Sequence, residues 1–437
     1  MVSKNLDCFH VYVYDEFSPQ DIAMMQALYS RSPLSVAVHV DKVRLSGSGK
    51  FMEQFYVGYG HSSIADCGST TIFIENLSIL ADKAIQDWFQ YAGQETSTRY
   101  VDMSKQRLVD PVGNKKSSKI LQKWMNFYLD NQPKVEQYLC SCYPIKTGQN
   151  DAVYIKAIKA RSFDILRGFL PAGITTQLSW HTNLRQAWDH LQILTHHPLS
   201  EVRQVSTEIL RQLKGKYPHS FSHEIVPSQE DYLELFQKEY AYLSVKERWP
   251  RFKFKSQINK NELNKFKKIL NRPAKTGLPA FLSQLGVLEF RFRLDYGSFR
   301  EVQRHRSAFH HMPLLTLEYG FNQWYLMQLP SEVRKKAEQL IKEQEEEIQK
   351  LKCCKEERQY YIPLGYNVGV KMVCTLPSAV YIAELRSGKA VHPTLRIIAQ
   401  KMGAEIEKIS PNLKLNLDRE PSDWDICRGT HDIVRKK

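Results

Sequence analysis

The feature that most constrains this chain is an order of elements that occurs twice. Residues 70–75 alternate, with Ile72 and Ile74 on one face and Thr71 and Phe73 on the other, the pattern of a half-buried strand. A helix over 78–91 follows, striped by Ile79, Ala81, Ile85 and Trp88. Val287 to Asp295 alternates again, with Leu288, Phe290, Phe292 and Leu294 on one face, and leads into a helix from Ser298 to Arg306. Each half then runs through a long helix (115–139; 331–352), a strand (173–179; 368–374), a helix (182–194; 378–386) and, after a short loop, another helix (200–214; 393–402). This predicts a diverged internal duplication, matched in order and motif rather than identity.

The 437 residues suffice for two cores. We expect domains at 1–214 and 261–437, joined by a basic linker region over 215–260. Further expected elements are a strand from His10 to Tyr14, a helix from Ser18 to Arg31, a Gly-Ser loop from Leu45 to Lys50, and a short basic helix from Asn261 to Leu270. The polar tail from Ser410 is expected to wrap over a neighbour. Apolar residues make up 42% and charged residues 25%, ordinary for a soluble protein. No apolar run reaches the ~18 residues of a transmembrane helix, and Met1 to Asn5 opens no signal-peptide core; a cytoplasmic location is expected. Eight scattered cysteines without a C-x-x-C, and adjacent pairs such as His196-His197 and His310-His311, argue against a bound metal or a disulfide framework. The net charge of +14 favours anionic partners, whether nucleotide, folate, nucleic acid or acidic lipid, without choosing among them.

Several motifs are chemically specific. The first half carries Gly58-Tyr59-Gly60-His61-Ser62-Ser63, then Glu95-Thr96-Ser97-Thr98-Arg99-Tyr100, Ala160-Arg161, Leu170-Pro171, Asn183-Leu184-Arg185 and Glu201-Val202-Arg203. The second half carries Arg300-Glu301-Val302-Gln303-Arg304-His305-Arg306, Glu384-Leu385-Arg386 and Arg396. These motifs resemble those of the flavin-dependent thymidylate synthases. The resemblance is close over about 8–212 and weaker over 285–408. Each half lacks what the other keeps. Where the first half should read Arg-His-Arg it has Asp87-Trp88-Phe89, and Leu194 is followed by Thr195 instead of arginine. The second half has Met312, Leu314 and Thr316 in place of the Glu-x-Ser-x-Arg positions, and Thr375-Leu376-Pro377 in place of Asn-x-Arg. Family sites are built between subunits, so complementary losses imply one composite site made from both halves.

The resemblance implies an α/β (α+β) fold of two tandem domains, each a mostly antiparallel sheet flanked by helices. It implies FAD-dependent methylation of dUMP to dTMP, with methylenetetrahydrofolate and NADPH as co-substrates, in a homodimer that mimics the family's tetramer. No membrane partner is implied, and nucleic acid is the less favoured one. Hydride delivery from a flavin leaves the protein to bind, orient and stabilise charge, work that suits arginine forks. Arg304, Arg99 and Ser97 are then the expected catalytic residues. His61, Ser63, Glu95, Asn183, Arg185, Arg304, His305 and Arg306 are expected to hold the cofactor. Ser97, Thr98, Arg99, Arg203, Arg300, Glu301, Arg386 and Arg396 are expected at the substrate. His305, flanked by two arginines, is expected to be neutral. Glu301 replaces a family glutamine and leaves open another pyrimidine nucleotide as substrate; a pseudoenzyme that binds nucleic acid is the remaining alternative.

Overall fold

The computed structural model describes residues 17–29, 36–58, 62–242 and 248–430. They fall into two compact units. The first comprises the described residues of Met1–Ile72, Trp180–His196 and Gln204–Leu233. Its helices Pro19–Tyr29 and Val36–Ser46 bury Met24, Met25, Val40 and Val43 against Phe17, Ile22, Leu28 and Phe51. The expected 45–50 loop shrinks to a turn at Gly47, whose φ of +62° closes the preceding helix with an N–H bond to the Val43 carbonyl. Helical turns resume at Gly49–Phe51 and Met52–Gly58. The expected His10–Tyr14 strand and His61 lie outside the described residues.

The second unit comprises Phe73–Ser179, His197–Arg203 and Glu234–Lys437. Among the described residues two sheets are present, the first of them including strands that run into both units. Strands β1 (Ser69–Ser78), β2 (Ala92–Glu95) and β3 (Thr175–Asn183) form one, in the order β1-β3-β2. Strands β4 (Phe252–Ser256), β5 (Val287–Asp295), β6 (Ala308–His311) and β7 (Asn367–Thr375) form the other, in the order β4-β5-β7-β6, antiparallel throughout. The alternation over 287–295 is β5 itself, with Leu288, Phe290, Phe292 and Leu294 buried. Within 215–260 lie the helix Pro227–Tyr242 and β4, which pairs with β5 from Phe252↔Phe292 to Ser256↔Leu288. The helix expected over 78–91 spans Ile79–Gln86, opened by the Ser78 hydroxyl accepting from the Ala81 N–H at 3.0 Å.

Two-fold copies exchange contacts reciprocally, and the halves do so here. The Ala172 N–H donates to the Ile362 carbonyl at 2.9 Å, and the Leu364 N–H to the Leu170 carbonyl at 2.9 Å. Gly173 and Tyr360 bond at 2.9 Å, Gly365 and Gly168 at 2.8 Å. Helix starts repeat the pattern: Ile79 N–H to Ile174 and Tyr296 N–H to Tyr366, both at 2.9 Å. The tail returns to its own chain. Asp423 meets Arg161 at 3.1 Å, and Trp424 stacks on Tyr143 with ring centroids 4.4 Å apart. The contacts seat it against the helix Asp151–Leu166 and the end of the helix Lys115–Cys142.

Candidate active site

The helix Tyr296–Gln303 positions most of the second-half motif. Asp295 caps it, accepting from the Ser298 N–H at 2.9 Å, and the chain then leaves the helix through Arg304-His305-Arg306. The Arg300 and Arg304 guanidinium groups both donate to the Glu95 carboxylate, each at 2.8 Å. Gln86 adds a third bond to Glu95 at 2.7 Å. Glu95 stands at the end of β2, so this clamp joins a first-half carboxylate to second-half arginines. Arg300 and Glu95 are both 5% exposed, whereas Arg304 is 37% exposed. Asp82 lies beside Glu95. Burial, then the Glu95 charge, push the Asp82 carboxyl well up. Burial acts on Glu95 in the same sense, but Arg300 foremost holds it well below the usual carboxylate range.

A second cluster surrounds Glu301. Arg99 grips Asp164 with both prongs, at 2.7 and 3.0 Å, and donates to the Ala390 carbonyl at 3.0 Å. Its Nη1 is 3.5 Å from Glu301. Arg167 donates to the Ser298 hydroxyl at 2.9 Å and reaches Glu301 at 3.4 Å. Arg386, at the end of the helix Leu376–Arg386, donates to the Glu301 carbonyl at 3.0 Å and lies 3.7 Å from its carboxylate. Burial would raise the Glu301 carboxyl, but Arg99, Arg167 and Arg386 together hold it below its ordinary range. Ser97 accepts from the Arg99 N–H at 3.2 Å and shapes that turn, with Thr98 buried beside it.

His305, next to Arg304 in the chain, supports the second cluster. Its Nε2 accepts from Arg386 Nε at 2.7 Å, which leaves the ring proton on Nδ1. Burial first, then Arg386, push its pKa down to about 2. The histidine is neutral, as expected, but burial and Arg386 outweigh the flanking arginines. Arg306 donates to the Tyr91 carbonyl at 2.7 Å and covers the Tyr91 ring at 4.6 Å.

The fold thus gathers Glu95, Ser97, Arg99, Arg300, Glu301, Arg304, His305 and Arg386 within the second unit. Ser63, Asn183 and Arg185 belong to the first. Ser63 is exposed. Asn183 caps the helix Leu184–Leu194, accepting from the Gln186 N–H at 2.8 Å. Arg185 pairs with Asp66 at 2.7 Å and Asp189 at 3.4 Å. Arg203 donates to the His197 and Pro198 carbonyls at 2.7 and 2.9 Å. Arg396 is buried, donating to the Ser387, Ser422 and Glu420 carbonyls and to Asp418.

Three further residues escaped the sequence reading. Asp164 is fully buried and takes Arg428 as well as Arg99. These two arginines hold its carboxyl well below the ordinary range against the opposing effect of burial. Arg167 was the third. A usable signal existed for two of them: Arg161, Asp164 and Arg167 recur every third residue in an otherwise apolar run, and charges on a buried helix must find partners. Arg428 carried no such signal.

Residues 15–219 match the family model described as Thy1, thymidylate synthase complementing protein. A UPF0159 protein of Thermoplasma acidophilum is 22% identical, over 90% of this chain and 94% of that protein. UPF0159 proteins of Chlamydia pneumoniae and Chlamydia muridarum are 24% and 25% identical, over 84% and 83% of this chain and 79% of each of theirs. These matches run across both halves of the chain, and the relatives' names state no reaction. Over residues 15–219 the chain thus matches the thymidylate synthase complementing protein family, and its second half meets that region through the reciprocal contacts described above.

Proposed function

We propose that the protein methylates dUMP to dTMP with methylenetetrahydrofolate and NADPH, at one composite site formed by residues of both halves. One observation carries this reading. Arg99, kept only by the first half, and Arg386, kept only by the second, meet at Glu301, and Arg304 of the second half crosses to Glu95 of the first. Random decay of a duplicated gene does not favour that partition.

The roles follow from the donors. Arg99, held rigid by Asp164, and Arg386, fixed on neutral His305, offer guanidinium edges to a nucleotide's oxygens. Arg304, tied to Glu95 by one prong and more than one-third exposed, is free to face an incoming ligand with its remaining donors. That donor set suits the diphosphate and ring carbonyls of FAD, with His305 and Arg306 as further expected holders. Bound FAD would supply the redox chemistry that turns the transferred carbon into a methyl group. The tandem arrangement supports two chains standing in for the family's four subunits, with domains at 1–214 and 261–437.

The purified protein should show a flavin band near the usual ~450 nm that shifts when dUMP is added. Arg304→Ala should lower turnover by about 10²-fold or more, the cost of removing a preorganised charge, and Arg99→Ala should do the same. Full activity in either variant removes the composite site. A colourless protein that added FAD does not reconstitute removes the enzyme reading. Glu301 favours one rival, C5 modification of another pyrimidine nucleotide, and turnover of UMP or dCMP in preference to dUMP would establish it.

A further inference from the structure

We infer that Glu301 is a resident counter-anion in an oxyanion seat: the Arg99, Arg167 and Arg386 cluster binds a phosphate-bearing ligand in competition with the Glu301 carboxylate. This rests on the proposal that the cluster takes a nucleotide, but its test does not need turnover.

The argument starts from what holds each arginine. Arg99 is anchored on Asp164 at 2.7 Å, Arg167 on the Ser298 hydroxyl at 2.9 Å, and Arg386 on His305 at 2.7 Å. Each therefore keeps its position through a partner other than the Glu301 carboxylate. Their distances to that carboxylate are longer, 3.5, 3.4 and 3.7 Å. The seat is built, and its occupant is loosely held. The Glu301 side chain is also 13% exposed, whereas Asp164 is sealed at 0%.

Shape and charge agree. Three guanidinium groups approach from three elements: the turn after β2, the end of the helix Asp151–Leu166, and the end of the helix Leu376–Arg386. A planar carboxylate has two oxygens for them, whereas a phosphate monoester offers three and carries more charge. An incoming phosphate meets Glu301 as a like charge and must displace it, so Glu301 weakens the seat and discriminates among anions.

The probes are inorganic phosphate and dUMP, titrated calorimetrically against the full-length protein and Glu301→Gln. Without the competing charge, Glu301→Gln should bind both about tenfold tighter or more, the scale on which one desolvated charge alters binding. Phosphate should also raise the melting temperature of Glu301→Gln more than that of the parent. Glu301→Asp keeps the charge but withdraws it by one methylene, and should gain an intermediate affinity. Unchanged or weaker phosphate binding in both variants overturns the inference. So does failure of both to fold even in phosphate, which would make Glu301 a structural ion-pair partner. Tighter phosphate binding without dUMP turnover in any of the proteins leaves the seat standing and removes the methylation reading instead.

Discussion

Glu95 and Glu301 make the same kind of contact in opposite directions. Glu95 comes from the first half and is held by second-half arginines; Glu301 comes from the second half and faces Arg99 and Arg167 of the first. Their geometry differs. Glu95 takes three bonds of 2.7 to 2.8 Å and is 5% exposed, whereas the Glu301 carboxylate has contacts of 3.4 to 3.7 Å and is 13% exposed. A tight carboxylate fixes the arginines around it. A loose one leaves their positions to other partners, and those partners are Asp164, Ser298 and His305. One crossing between the halves is thus a tight joint, and the other is the loosely held cluster proposed above as the binding surface.

The comparison breaks first at Glu95. Glu95→Ala leaves Arg300 buried without its main counter-charge and should cost about 3–5 kcal/mol, read as a fall in the urea midpoint at unchanged slope. Glu301→Gln should cost less, because each arginine retains a shorter contact. A larger loss at Glu301 than at Glu95 would reverse the assignment of joint and binding surface.

Arg428 tests the support beneath Arg99. Arg428→Ala removes one of two arginines from Asp164 but leaves the two-pronged Arg99 contact. The expected loss is about 1.5–3 kcal/mol, typical of one charged hydrogen bond, with a rise in KM for dUMP exceeding the fall in kcat as Arg99 loosens. A loss of stability with unchanged KM would confine Arg428 to holding the tail.

These residues also mark the limit of what the sequence discloses. The alternation over 287–295 is legible because one face is buried and the other is not. The partition of motifs between halves is legible because it depends only on order. The helix Asp151–Leu166 is buried on all sides from Ala160 on, and its second half therefore shows no polar stripe by which to find it. Gly93 reads as a helix stop but lies within β2, where a Cβ would come within 1.9 Å of the Ser179 carbonyl; close backbone approach, not termination, calls for glycine there. The Arg428 contact depends on where the tail docks, which no local pattern encodes.

The smallest expected effects are in the pH dependence of stability, which separates His305 from the carboxylates. His305 has a folded pKa lowered from 6.5 to about 2. The neutral ring is thus favoured by folding: its contribution is complete above about pH 6.5 and declines as pH falls toward the folded value, by at most about 1.4 kcal/mol per pH unit. Glu95 and Glu301 are also lowered, from 4.5, so their contributions are complete above that value and decline only below it. Asp82, raised by burial and by Glu95, has the opposite sign and stabilises at low pH. Between pH 7 and 5 Asp82 and His305 therefore act in opposite directions in the parent protein, and His305→Gln should shift the urea midpoint upward relative to the parent as pH falls, while Glu301→Gln parallels the parent. Below about pH 4.5, the lowering of Glu301 makes Glu301→Gln the flatter of the two curves. A Glu301→Gln curve that stays parallel to the parent there would mean the three arginines stabilise no charge on Glu301, and the seat would have no resident anion to displace.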